Sequence, residues 1–152
     1  MDVFGASTNV KIHEIIFEQF ANPTKVTNLE IFERYMLALS QSQNPQNSIL
    51  QKYFEILSKN HQYTNENIKQ TLLLTVGTLS RKCDDIKLKS LVLKNFVNHL
   101  IECKNSNCRQ QYLRALKNTE NEIILPILMK LIESQDIDGK SAVLGKYRID
   151  TR

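Results

Sequence analysis

Residues 112–132 read YLRALKNTENEIILPILMKLI, a short apolar helix pattern, a polar break of a few residues, and a second apolar pattern. Two antiparallel helices joined this tightly are the unit of an α-solenoid. The break carries Thr119 and Glu122 at the spacing of a capping box, which predicts where the second helix starts. Pro126 falls inside that second pattern. It has no amide hydrogen, so it should kink the helix or move its effective start.

Working outward, the same arrangement recurs. The spacing predicts a first helix over 9–21, capped by Ser7 or Thr8, with Ile12, Ile15, Ile16 and Phe20 on one face. Asn22-Pro23 ends it, since a residue before proline avoids the α region. Thr27 and Glu30 suggest a capping box for a helix to about Ser42, burying Leu29, Phe32, Met36 and Leu39. Asn44-Pro45 restarts the chain into a third helix to about Lys59, with Ile49, Leu50, Tyr53, Phe54 and Leu57 inward.

Thr64 or Asn65 caps a fourth helix to about Lys82, striped by Ile68, Leu72, Val76, Leu79 and Cys83. Leu73, Leu74 and Thr75 widen its apolar face, so this helix should be covered on two sides. Gly77 within it costs about 1 kcal/mol relative to Ala, which suggests close approach by a neighbouring helix. Arg81 and Lys82 fall in its last turn, where cations suit the helix dipole. The fifth helix, over 86–103, should bury Leu88, Leu91, Val92, Phe96 and Leu100. The sixth presents Tyr112, Leu113 and Leu116, the seventh carries Ile123, Ile124, Ile127, Leu128, Leu131 and Ile132, and 141–146 suggest an eighth.

Odd-numbered helices start near Asn9, Pro45, Ile86 and Glu120, a spacing of roughly 33 to 42 residues that suits helical repeats. The expected fold is therefore all-α, a two-layered solenoid of HEAT-like antiparallel pairs with seven or eight helices in one domain over 1–152. Four Gly and three Pro argue against an all-β fold, and 41% hydrophobic with 24% charged residues is ordinary globular composition. The longest apolar run, TLLLTV over 71–76, is far below the roughly 20 residues that span a bilayer. The start, MDVFGASTNVK, has no basic region before an apolar core and is not a signal peptide. The end, SAVLGKYRIDTR, opens a helix-like pattern and stops, so the chain is expected to be a fragment.

The net charge of +4 is dispersed. Basic residues alternate with acids and no aromatic stripe interleaves them, which favours a solvated face over a nucleic-acid partner. Catalytic patterns are missing from the sequence. His13, His61 and His99 are far apart and form no metal-ligand spacing, and His13 and His99 read as helix-surface residues. There is no Gly-rich phosphate loop and no Gly-x-Ser-x-Gly elbow. Asp84-Asp85 reads as a turn, and Asn22-Pro23-Thr24 is no glycosylation sequon because proline stands in its middle. No catalytic, metal or cofactor site is expected, and the chain reads as a binding surface rather than an enzyme. Cys103 and Cys108 flank the turn between the fifth and sixth helices. A disulfide between them would contribute about 2 kcal/mol at most; two free thiols is the other reading.

Two segments carry a family likeness. TLLLTVGTLSRKCDDIKLK over 71–89 contains Gly77, Thr78, Leu79, Arg81, Lys82 and Cys83, and the later segment contains Leu113, Ala115, Leu116, Lys117 and Asn118. Upstream, FERYMLA over 32–38 has a third matching pattern with its aromatic residue moved. In this order they resemble the vitellogenin-type helical domain of the large lipid transfer proteins, closest to the microsomal triglyceride-transfer branch. The second cysteine that the family places near Cys83 is missing here, which puts a family disulfide at that position in doubt.

The resemblance implies a helical wall around lipid-binding sheets, within a module whose β-barrel and sheets this chain lacks. It implies transport of neutral lipid (triglyceride) and phospholipid for lipoprotein assembly in the endoplasmic reticulum lumen or secretory pathway. Protein disulfide isomerase and an apolipoprotein are the implied protein partners. No lipid-contacting residue is carried over. The alternative is a generic HEAT-like protein-interaction scaffold in the cytosol.

Overall fold

The computed structural model describes residues 7, 9–59, 63, 65–126 and 129–130. Six α-helices span them: α1 Val10–Ile16, α2 Leu29–Gln41, α3 Asn47–Ser58, α4 Glu66–Lys82, α5 Ile86–Glu102 and α6 Ser106–Thr119. No strand occurs among the described residues. A 3₁₀ turn, Glu122–Ile124, follows α6, and residues 125–126 and 129–130 are helical. The expected seventh helix thus opens as a 3₁₀ turn. Pro126 lies just past that opening, where a missing amide hydrogen is tolerated. Ile127, Leu128, Leu131, Ile132 and the expected eighth helix lie outside the described residues.

Short polar side chains set the helix starts. The carboxamides of Asn9, Asn28, Asn65 and Asn105, and the carboxylate of Asp85, each accept from backbone amides of the following first turn. These amides have no partner within the helix, so the caps satisfy them. Three sequence expectations are corrected. Asn28, one residue past Thr27, caps α2 through Ile31 N at 3.1 Å. Helix α3 starts at Asn47 behind Gln46, not at Pro45. Thr119 forms no capping box: it ends α6, and its hydroxyl donates back to Leu116 O at 2.7 Å.

The π turn that continues α1, Phe17–Ala21, packs on α2, and α3 pairs with α4 and α5 with α6. Helices α2, α4 and α6 pack side by side in one layer, with α3 against α5 in the other. Helices α1, α3 and α5 start at residues 10, 47 and 86, a repeat of 37 and 39 residues. Helix α4 touches α2, α3, α5 and α6. Its wide apolar face is explained by this position: Leu72, Leu73, Thr75, Val76, Gly77, Leu79 and Ser80 are all buried. The core between the layers is built of Phe32, Tyr35, Met36, Leu39, Leu50, Tyr53, Ile68, Val92, Phe96, Leu100 and Leu116.

Burial expectations are overturned in two helices. Beyond Ile16 the chain widens into a π-helical turn, Phe17–Ala21. Inserting a residue into a turn rotates everything after it, so Phe17 and Ala21 face the core while Phe20 is exposed. Ile15 is also exposed, and His13 takes an inward position. In α5, Leu91 lies on the solvent side at 56% exposure, and Leu93 takes the inner position beside Val92.

Candidate functional site

The residues that carry the family likeness are joinery between repeats. At the C-terminus of α4, Lys82 Nζ donates to Ser40 O at 2.6 Å and Ser42 O at 2.5 Å. It therefore closes the carbonyl end of α2 and not only its own helix, a role for which a cation suits both hydrogen bonding and dipole. Burial, then the neighbouring Arg81 charge, lowers the Lys82 pKa. Arg81 reaches across to Glu120 at 2.8 Å. Glu120 sits just past α6 in the left-handed region, φ 49°. Asn47 Nδ2 donates to Asp84 Oδ1 at 2.5 Å, and the buried Cys83 thiol donates to Asn47 Oδ1 at 3.2 Å. Asp84 thus stands in an inter-helix contact, as the turn reading of Asp84-Asp85 allows.

The opposite edge is more open. There the N-terminus of α4, the C-terminus of α5 and the N-terminus of α6 enclose a cleft of about 540 Å³. Tyr63, Lys69, His99, Lys104 and Tyr112 line it, together with the sulfur atoms' residues Cys103 and Cys108. Those two cysteines are joined in a disulfide with their Cα atoms 5.6 Å apart. The bridge ties the last turn of α5 to the first turn of α6 and closes residues 104–107 into a ring. The His99 ring stacks on Tyr112 at 5.3 Å between centroids, and its Nδ1 lies 3.6 Å from Glu102. Glu66 accepts from Gln111 Nε2 at 2.9 Å. Burial pushes the Tyr63 phenol up to about 12, with Tyr112 adding to the effect. Burial, then the Glu102 and Glu66 carboxylates, raises Tyr112 as well.

His13 corrects the surface reading made from sequence: it is 5% exposed. Its Nε2 is 2.6 Å from Ser7 O, and its Nδ1 is 2.5 Å from the Tyr35 hydroxyl. A carbonyl oxygen only accepts, so Nε2 carries the hydrogen. With that hydrogen on Nε2, Nδ1 is left to accept from the Tyr35 hydroxyl. Burial raises the Tyr35 pKa well above its ordinary value, which keeps this donor protonated. The pair is a core hydrogen bond between α1 and α2, beside Lys52 Nζ, which lies 3.7 Å over the Phe17 ring.

The outer face of the α2/α4/α6 layer carries a shallow groove of about 300 Å³ that includes Glu33, Leu37, Leu74, Thr78 and Asn118. Large apolar side chains lie open elsewhere too: Val10, Ile15 and Phe20 at the α1 end, and Ile86, Leu91 and Ile101 along α5. Among the described residues no group of three or more His, Cys, Asp or Glu side chains is placed to hold a metal ion. No helix among them is long and apolar enough to cross a membrane. The cleft residues run from Leu57 to Tyr112 in the chain, and no local motif joins them. The signal available in the sequence was topological, since antiparallel pairs bring every second turn to one edge.

With this geometry in place, comparison with known proteins gives two matches. A family model described as the vitellogenin TPR domain matches residues 3–150. Over 132 residues the chain is 22% identical to the microsomal triacylglycerol transfer protein of Drosophila melanogaster, which covers 86% of this chain and 15% of that protein. No solved structure matches.

Proposed function

The chain belongs to the vitellogenin TPR domain family, and from that premise we propose that it is a wall segment of a lipid transfer protein. The observation that carries the reading is the stack of helix pairs in two layers combined with apolar side chains left open on its end helix. Val10 and Ile15 on α1 and Phe20 in the π turn that follows it are 43%, 57% and 38% exposed. A repeat stack buries such faces against the next repeat, so an open end suits a segment of a longer wall. The chain spans 15% of the fly relative, and the activity of a whole protein is accordingly part of the proposal.

In this reading the helices support lipid-binding sheets contributed by other parts of the protein and catalyse nothing themselves. The finer form of the proposal is triglyceride and phospholipid carriage for lipoprotein assembly in the endoplasmic reticulum lumen, with protein disulfide isomerase and an apolipoprotein as partners. The Cys103–Cys108 bridge supports an oxidising compartment. Relatedness to a triacylglycerol transfer protein supports the lipid class.

The test is transfer of fluorescent triglyceride and phosphatidylcholine between donor and acceptor vesicles. It compares the longest natural protein containing this segment with the 152-residue chain alone. The proposal expects transfer by the former and none by the latter. Transfer by the short chain, or none by the long protein, would overturn it. A cytosolic scaffold would give the second result.

A further inference from the structure

The two sulfurs of the Cys103–Cys108 bridge stand in unequal fields. Cys103 caps the C-terminus of α5, where the carbonyl end of a helix disfavours negative charge. Cys108 is the third residue of α6, at the amide end of a 14-residue helix, where a thiolate is stabilised. Neighbouring charges leave this difference standing. Glu102 and Lys104 flank Cys103 and offset each other, whereas Arg109 follows Cys108. Across the cleft, Glu66 and Lys69 offset each other in the same way. Both cysteines are half-buried and line the open cleft of about 540 Å³, which gives a small thiol access to the bridge. The third cysteine has no such access. Cys83 is buried at the far end of α4, a helix of 17 residues and about 25 Å.

We propose that this bridge is a thiol–disulfide exchange site, attacked at Cys103 by a small thiol of the glutathione class. The incoming thiolate sulfur bonds to Cys103 Sγ. The bond between the two Sγ atoms breaks, and its electron pair leaves on Cys108 Sγ as a thiolate. The product is a mixed disulfide at Cys103. A second thiolate then attacks the sulfur that the first thiol contributed. This releases Cys103 as a thiolate and the two small thiols as their disulfide. The protons of the two thiols end on Cys103 and Cys108, so the bridge is reduced by two electrons and the thiols are oxidised by two. Exchange is faster when the departing sulfur is the more stable thiolate, so the start of α6 directs attack to Cys103. Exposed bridges exchange in this way, whereas inaccessible structural ones resist thiols. The mixed disulfide no longer ties α5 to α6, which makes it a modification that opens the edge of the cleft. The inference stands apart from the transport proposal, because it concerns the bridge and no lipid.

The test incubates the folded 152-residue chain with excess glutathione at neutral pH, quenches early aliquots with acid and maps the adducts by mass spectrometry. A glutathione adduct at Cys103 is expected in about fivefold excess over one at Cys108. The same reaction in urea removes both helix ends, and there the two sulfurs should be attacked about equally. The folded chain should lose its bridge at least as fast as the unfolded one. Equal adducts in the folded chain, or an excess at Cys108, would overturn the assignment. So would the absence of any trapped adduct, or a bridge that reacts only once urea has unfolded the chain, since an inert structural disulfide behaves in that way.

Discussion

Gly77 of α4 lies directly against the backbone carbonyl of Ala115 in α6. A Cβ atom built at Gly77 would overlap Ala115 O and stand 3.2 Å from both Ala115 C and Asn118 Cβ. Backbone, unlike a flexible side chain, has little room to give, so the absent side chain sets the spacing of the two helices. Asn118 Nδ2 completes the seam by donating to Leu74 O at 3.3 Å.

Gly77→Ala should therefore destabilise the fold. Helix propensity alone would favour Ala by about 1 kcal/mol. Forcing a methyl into a closed helix interface costs about 1–3 kcal/mol, and here the clash meets backbone. A clash with backbone belongs to the upper part of that range, about 3 kcal/mol, so a net loss of about 2 kcal/mol is expected, read as a lower urea midpoint with unchanged slope. An unchanged or raised midpoint would mean that the helices separate freely and the seam is loose.

The buried pair of His13 and Tyr35 gives a second prediction. Tyr35→Phe leaves His13 Nδ1 buried without its donor, which costs about 1–3 kcal/mol. His13→Phe alone leaves Tyr35 similarly stranded. The double variant should lose less than the sum of the two, because neither orphan remains. Strict additivity in the thermodynamic cycle would show that the two side chains do not interact.

How much of this was legible beforehand follows from the kind of signal each residue gives. The wide α4 stripe from Ile68 to Leu79 predicted a helix covered on two sides, and Gly77 predicted close approach; both are local patterns with one physical meaning. His13 was misread because its neighbour Tyr35 lies 22 residues away, and the π turn at Phe17–Ala21 breaks the regular period on which the face assignment depended. Leu91 was misplaced because α5 has apolar residues on both sides, and only the position of α3 decides which side is inside. The cleft was invisible for a related reason. Tyr63, Lys69, Lys104 and Tyr112 come together only once three helix ends share an edge. Arg81 and Lys82 were assigned the dipole of their own helix, whereas Lys82 also serves the end of α2, a partner that no spacing within α4 could indicate.

Alkaline pH gives a third prediction. Tyr63 has a folded pKa of about 12 against an ordinary 10.0, and Tyr35, Tyr53 and Tyr112 are raised too. In each case the folded state holds its proton more tightly than the unfolded state. The stability linked to these groups is therefore whole below pH 10 and is lost as pH rises from 10 through the folded values. The urea midpoint should fall between pH 9 and pH 11, working values placed either side of the ordinary phenol pKa of about 10. Tyrosinate absorbance in that interval should track unfolding. Ionisation of all phenols near pH 10 with the fold intact would contradict the burial described.

The disulfide supplies the last prediction. The chain has three cysteines, of which Cys83 is the buried free one. Unfolded, unreduced protein should take up a single alkyl group, at Cys83; three would mean that no bridge exists. Reduction opens a very short loop, so the chain-entropy contribution lost is small, about 2 kcal/mol at most. The change should also be local, since the bridge joins only the adjacent ends of α5 and α6. Amide exchange should therefore speed up in the last turn of α5 and the first turn of α6, around Leu100 and Arg109, while the amides of α2 keep their protection. Uniform acceleration across all helices would show instead that the bridge supports the whole stack, which its position at one edge does not predict.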